Sequence, residues 1–186
     1  MKKIVTNFSL IASVFIALAG SATAQASDGI ITINGSILDS TCQINGVASP
    51  TSADLTVTLP QISKSALNKV GMVAGQTPFT LTLTKCPNTG QTATAYFEYG
   101  PNVDSTTGNL KLTSASTAKN VQIQFTNDDS SPIKLGQPYL AQGVKGSMID
   151  SLGNATLRYV AAYVAVTGPA TAGTVNSSIT YSIEYQ

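Results

Sequence analysis

The chain has 186 residues and carries little charge: 10 Lys and Arg against 9 Asp and Glu, with no histidine. That balance offers no basic face for nucleic acid and no acidic tail, so an electrostatic partner does not account for its function. The missing histidine removes the Ser-His and Cys-His routes to an activated nucleophile. It also leaves two cysteines and scattered carboxylates as a poor zinc-binding set.

In chain order the first element is a targeting segment. Lys2 and Lys3 form a positive start, Leu10 to Ala19 is apolar, and small residues follow at Ala22, Ala24 and Ala26. The apolar run is too short to span a bilayer, which takes about 20 residues. Its flanks fit a secretory signal over residues 1–26, cleaved after Ala24 or Ala26. Without Lys2 and Lys3 the remainder is weakly acidic, and its length favours one domain with a full core. No later segment is apolar enough for a membrane anchor.

Residues 28–42 read "DGIITINGSILDSTC". Ile31, Ile33 and Ile37 share one face of a strand, and Gly35 interrupts that face. Further strand candidates are 41–47, 54–59, 78–85, 93–100, 109–113, 119–126, 157–166 and 177–185, several with a clean period of two, as in "FTLTLT", "VQIQF" and "ITYSIEY". Turn residues separate them, at "NG" 45–46, "PNTG" 87–90, "GPN" 100–102 and "TGPATAG" 167–173. Many short strands at this spacing predict an all-β sandwich. Only "SKSALNKVG" at 63–71 has helical character, enough for one turn in a loop.

The signal places Cys42 and Cys86 in an oxidising compartment, where a disulfide is the default reading. Such a bridge contributes about 4 kcal/mol on the chain-entropy model; two free thiols or half of a metal site are the alternatives. Asp128 and Asp129 form the one acidic pair, yet "NDDSSP" is turn chemistry. The aromatics of "AYFEYG" could stack on a sugar, but alternation puts Phe97 and Tyr99 on one face, as in a strand feeding a core. No catalytic constellation, cofactor motif or metal set emerges, so the sequence does not read as an enzyme.

The two ends hold the unusual features. Ile179, Tyr181, Ile183 and Tyr185 give the last strand a wholly apolar face, and the first strand also needs a partner. Two such strands can simply pair within one sandwich.

Taken together, the extension "GIITINGSILD", Cys42 just after it, Cys86 in "LTLTKCP", Gly173 fourteen residues from the end and the penultimate Tyr185 resemble the subunits of chaperone–usher pili, particularly type 1 fimbrial pilins. The resemblance covers essentially all of residues 27–186. It implies an immunoglobulin-like sandwich over residues 39–186 that lacks one strand and is completed by a strand donated from another subunit. Residues 27–38 would be the donor, with Ile31, Ile33 and Ile37 as knobs and Gly35 at a narrow notch. Gly173, Ile179, Tyr181, Ile183 and Tyr185 would form the C-terminal strand that a periplasmic chaperone engages first. An outer-membrane usher would then exchange the chaperone for the next subunit. The implied function is a structural subunit of a surface fimbria supporting adhesion, with neighbouring subunits, chaperone and usher as partners and no cofactor. A minor adaptor or tip subunit with a receptor-binding role is the alternative.

Overall fold

The computed structural model describes Thr32, residues 42–87 and residues 89–186. The signal segment and the expected donor residues Ile31, Ile33, Gly35 and Ile37 lie outside the described residues. Within them the chain forms ten strands and two short 3-10 turns, at Lys64–Leu67 and Tyr139–Ala141. The strands are β1 (Gln43–Ile44), β2 (Val73–Thr84), β3 (Thr92–Phe97), β4 (Val103–Asp104), β5 (Asn109–Leu110), β6 (Val121–Asn127), β7 (Pro132–Ile133), β8 (Ser147–Met148), β9 (Ala155–Ala165) and β10 (Tyr181–Tyr185).

They build two antiparallel sheets. The larger runs β1-β2-β9-β6-β5-β4, with β7 also on β6; the smaller runs β10-β3-β8. The period-two segments of the sequence supply the long central strands. β2 pairs with β9 from Val73↔Val164 to Leu83↔Ala155, and β9 pairs with β6 from Val121↔Ala165 to Asn127↔Tyr159. The β2–β9 register breaks between Ala74 and Thr77. There Gly75 takes a φ of +70°, and a Cβ would stand 2.8 Å from the Tyr163 ring. Glycine therefore allows a bulge that bends the longest strand.

Leu81, Leu83, Ile123, Leu157 and Tyr159 from the large sheet meet Ala93, Ala95 and Phe97 from the small one. Phe79, Phe97, Phe125 and Tyr159 form a ring of four aromatics, with neighbouring centroids 5.2–5.7 Å apart. Phe97, Phe125 and Tyr159 are buried and Phe79 half-buried; a fully buried side chain of this size contributes about 1.5–3 kcal/mol, so the three buried rings anchor the sandwich.

Two expectations are corrected. Residues 54–59 alternate as a strand does, with Val57 and Leu59 half-buried and Thr56 and Thr58 exposed, yet they join no sheet. Tyr99 does not share the core face with Phe97: β3 stops at Phe97 and Tyr99 is 68% exposed, because Gly100 and Pro101 turn the chain away.

Two buried amides close the far side of the small sheet. β8 covers β3 only at Thr92 and Ala93. Beyond it, the Gln142 side chain takes the place of a strand. Its Oε1 accepts from the Phe97 N–H at 3.2 Å, and its Nε2 donates to the Phe97 carbonyl at 2.7 Å. Asn127 donates to the Gly143 carbonyl and accepts from the Lys145 N–H, fixing the same loop to β6. Replacing Gln142 with leucine keeps the volume but leaves both Phe97 groups unpaired, at about 1–3 kcal/mol per group. Thermal unfolding should show a Tm lowered by about 2–4 °C for each kcal/mol lost; an unchanged Tm would mean that water replaces the amide.

Candidate functional site

Cys42 and Cys86 are bonded to each other, joining the residue before β1 to the turn after β2, and both are buried. Neither thiol is free, which settles the alternatives left open by the sequence. From this bridge the chain runs through residues 52–62, which make no backbone–backbone hydrogen bond among the described residues.

The C-terminal segment lies across from it. β10 pairs with β3 from Tyr181↔Phe97 to Tyr185↔Ala93. Glu98 donates to the Thr180 carbonyl, and Thr92 and Gln186 exchange both of their backbone bonds. Upstream, Thr113 donates to Asn176, and Thr117 and Ala118 donate to Thr174. Every one of these bonds uses an even-numbered residue of the C-terminal segment. In an antiparallel ladder the intervening residues turn their peptide groups the other way. Val175, Ser177, Ile179, Tyr181, Ile183 and Tyr185 thus present an edge without a backbone partner among the described residues.

Their side chains alternate with the same period. Val175, Ile179, Tyr181, Ile183 and Tyr185 are all half-buried and pack on the core, as do Val57 and Leu59 opposite. The sequence therefore placed the face of Ile179, Tyr181, Ile183 and Tyr185 correctly.

Between the two segments lies a groove in two successive stretches, the first of them mainly apolar. One, of about 520 Å³, is walled by residues 49–57 and 178–181, with Phe79, Leu81, Phe97 and Phe125 as its floor. The other, of about 530 Å³, is walled by residues 61–64 and 170–176 over Leu67, Val121 and Tyr163. Burial pushes the Tyr181 and Tyr185 hydroxyls above the ordinary tyrosine range; the first donates to the Ala53 carbonyl and the second accepts from the Cys42 N–H. A groove with apolar knob-holes and open peptide groups along its wall suits an extended peptide strand.

Gly173 sits at the groove's second stretch for a steric reason. A Cβ there would lie 2.3 Å from the Ala118 N and 2.6 Å from the Thr117 carbonyl carbon. Only glycine lets the C-terminal segment approach residues 117–118 closely enough for their bonds to Thr174. The acidic pair plays no part. Asp128 and Asp129 are exposed, and hydrogen bonds from Lys145 and then Ser131 hold the Asp129 carboxyl well below the usual carboxylate range. The wall at residues 49–57 was not legible as part of a site; its one signal was the unpaired alternation at 54–59.

Over residues 59–186 the sequence matches the family described as FimA, Type-1 fimbrial protein, A. The chain belongs to the type-1 fimbrial protein family. It is 47% identical over 176 residues to the F17 fimbrial protein of Escherichia coli, covering 92% of this chain and 94% of that one. It is 45% identical over 166 residues to the major fimbrial subunit SMF-1 of Stenotrophomonas maltophilia, covering 87% and 95%. A chain from the structure of a chaperone–usher pilus shares the fold, with a TM-score of 0.58 at 20% identity over 89% of this chain and all of the other. This fimbrial protein is accordingly a structural, non-enzymatic subunit of a cell-surface fimbria, with other fimbrial subunits as its partners. Its fold is the immunoglobulin-like sandwich of pilus subunits.

In this fimbrial subunit Gly173→Ala should displace the C-terminal segment from residues 117–118 and overpack that contact, costing about 1–3 kcal/mol. Thermal unfolding should report the loss. Hydrogen exchange should become faster at the Thr117 and Ala118 amides than elsewhere, and uniform exchange would show that the close approach is not what requires glycine.

Proposed function

We propose that this subunit polymerises by donor-strand complementation. After removal of residues 1–26, residues 27–38 of one copy fill the groove of a neighbour, with residues 39–186 as the receiving pilin domain. Ile31, Ile33 and Ile37 point into the core, and Gly35 passes the narrowest place. The observation that carries this reading is the groove itself. Its C-terminal wall offers, at alternate residues, peptide groups without a backbone partner among the described residues, and its floor is the aromatic centre of the fold. Three isoleucines buried there contribute about 1.5–3 kcal/mol each, before any backbone hydrogen bond forms.

An unfilled groove of this kind is a sticky edge. A periplasmic chaperone that pairs with the Gly173–Tyr185 segment would cover it until an outer-membrane usher exchanges it for the next subunit. The chaperone–usher origin of a pilus with the same fold supports those two partners. A head-to-tail contact that does not close on itself gives an open polymer. The 45% identity to a major fimbrial subunit favours a shaft role over that of a minor adaptor.

Deleting residues 27–37 separates donation from pairing within one domain. The deletion should leave folding and chaperone binding intact while abolishing attachment to the preceding subunit; a destabilised chaperone complex would point to self-pairing instead. Peptides of residues 28–40 with and without Gly35→Leu give a finer comparison. Overpacking at a notch costs about 1–3 kcal/mol, so the leucine peptide should displace the chaperone more slowly on a native gel. Equal rates would remove Gly35 from the notch.

A further inference from the structure

Two tyrosines of β10 hydrogen-bond to the backbone of residues 42 and 53. The Tyr185 hydroxyl accepts from the Cys42 N–H at 3.4 Å, beside the disulfide that begins the opposite wall. Further along, the Tyr181 hydroxyl donates to the Ala53 carbonyl at 2.7 Å. Among the described residues this is the one hydrogen bond that joins residues 52–62 to the C-terminal segment. At Tyr181 the two walls are thus bridged by one side chain and one hydrogen bond. Burial, and then the nearby Asp54 carboxylate, raises the Tyr181 pKa.

That bond sits where a seated strand must go. The Tyr181 side chain lines the cavity over Phe79, Phe97 and Phe125, so a donor side chain at that depth meets its ring. Its hydroxyl also occupies the Ala53 carbonyl, an acceptor that an inserted strand's N–H could use. We infer that Tyr181 is a strap, its hydroxyl holding residues 52–62 against β10 in the unfilled groove and releasing Ala53 when a strand is seated. The inference rests on the strand-accepting reading of the groove. It adds that insertion is slowed by a specific side-chain bond of the acceptor, separately from the fit of the donor. Tyr185, bonded beside the disulfide at the end of the wall, does not cross the cavity over the aromatic floor and is not part of the strap.

The test measures uptake of a fluorescent peptide of residues 28–40 by the full chain, followed by anisotropy, for the wild type, Tyr181→Phe, Tyr181→Met and Tyr99→Phe. Tyr181→Phe removes only the hydroxyl. Tyr181→Met also lacks the donor while keeping apolar bulk, and guards against a folding defect peculiar to one variant. Both Tyr181 variants should take up the peptide about 2- to 10-fold faster, the rate equivalent of one ordinary hydrogen bond. Tyr99→Phe, on the exposed surface away from the groove, should match the wild type. Tyr181 variants at or below the wild-type rate, with peptide bound in all cases, would overturn the strap alone. Binding of the peptide by none of the proteins would overturn the strand-accepting reading beneath it.

Discussion

A β-strand hydrogen-bonds on both edges, and the groove of this subunit follows from a C-terminal strand that does so on one edge only among the described residues. Along the C-terminal segment the even-numbered peptide groups are bound to β3 and to residues 113–118, while the odd-numbered ones face the groove. Because side chains and peptide groups keep the same period, the residues with open peptide groups also carry the apolar side chains, Val175 through Tyr185. The open edge and the open core are one defect. A ligand that mends the first must also fill the second, and an alternating apolar strand meets both demands at once.

The rest of the sandwich makes that defect survivable. β2, β9 and β6 form a long, continuous antiparallel centre, and the four-ring aromatic cluster fills the space between the sheets. The disulfide ties Cys42, just before β1, to the turn after β2, and the short β1–β2 ladder beside it anchors the chain that leads into residues 52–62. On the other side of the groove the C-terminal segment is held by its bonds to β3 and to residues 113–118.

The sequence was most informative where strands are long and half-buried. "FTLTLT", "VQIQF" and "ITYSIEY" carry a period of two over enough residues to be unmistakable, and they became β2, β6 and β10. β4, β7 and β8 have two residues each, too short for any period to show. The alternation at 54–59 was real, but a pattern of side chains says nothing about whether the backbone has a neighbour to bond, and here none joins it among the described residues. Tyr99 failed for a similar reason, since alternation continues on paper past the residue where Gly100 and Pro101 end the strand. Gly173 stood out only as part of a family resemblance; its cause, the close approach to Ala118, depends on a contact 55 positions away along the chain. The donor residues themselves lie outside the described part of the molecule, so their role rests on the shape of what would receive them.

The buried amide of Gln142 has a bearing on the number of neighbours a subunit can hold. A three-stranded sheet left open at both edges would be bivalent for incoming strands, and a population of such subunits would cross-link into branched or laminar aggregates. By sealing the Phe97 peptide groups with a side chain, the protein blunts the far edge without adding another strand that would itself need covering. Among the described residues the C-terminal segment is then the long open edge of the smaller sheet. If the C-terminal segment is the edge that accepts a strand, blunting the opposite edge would keep a filament of such subunits linear.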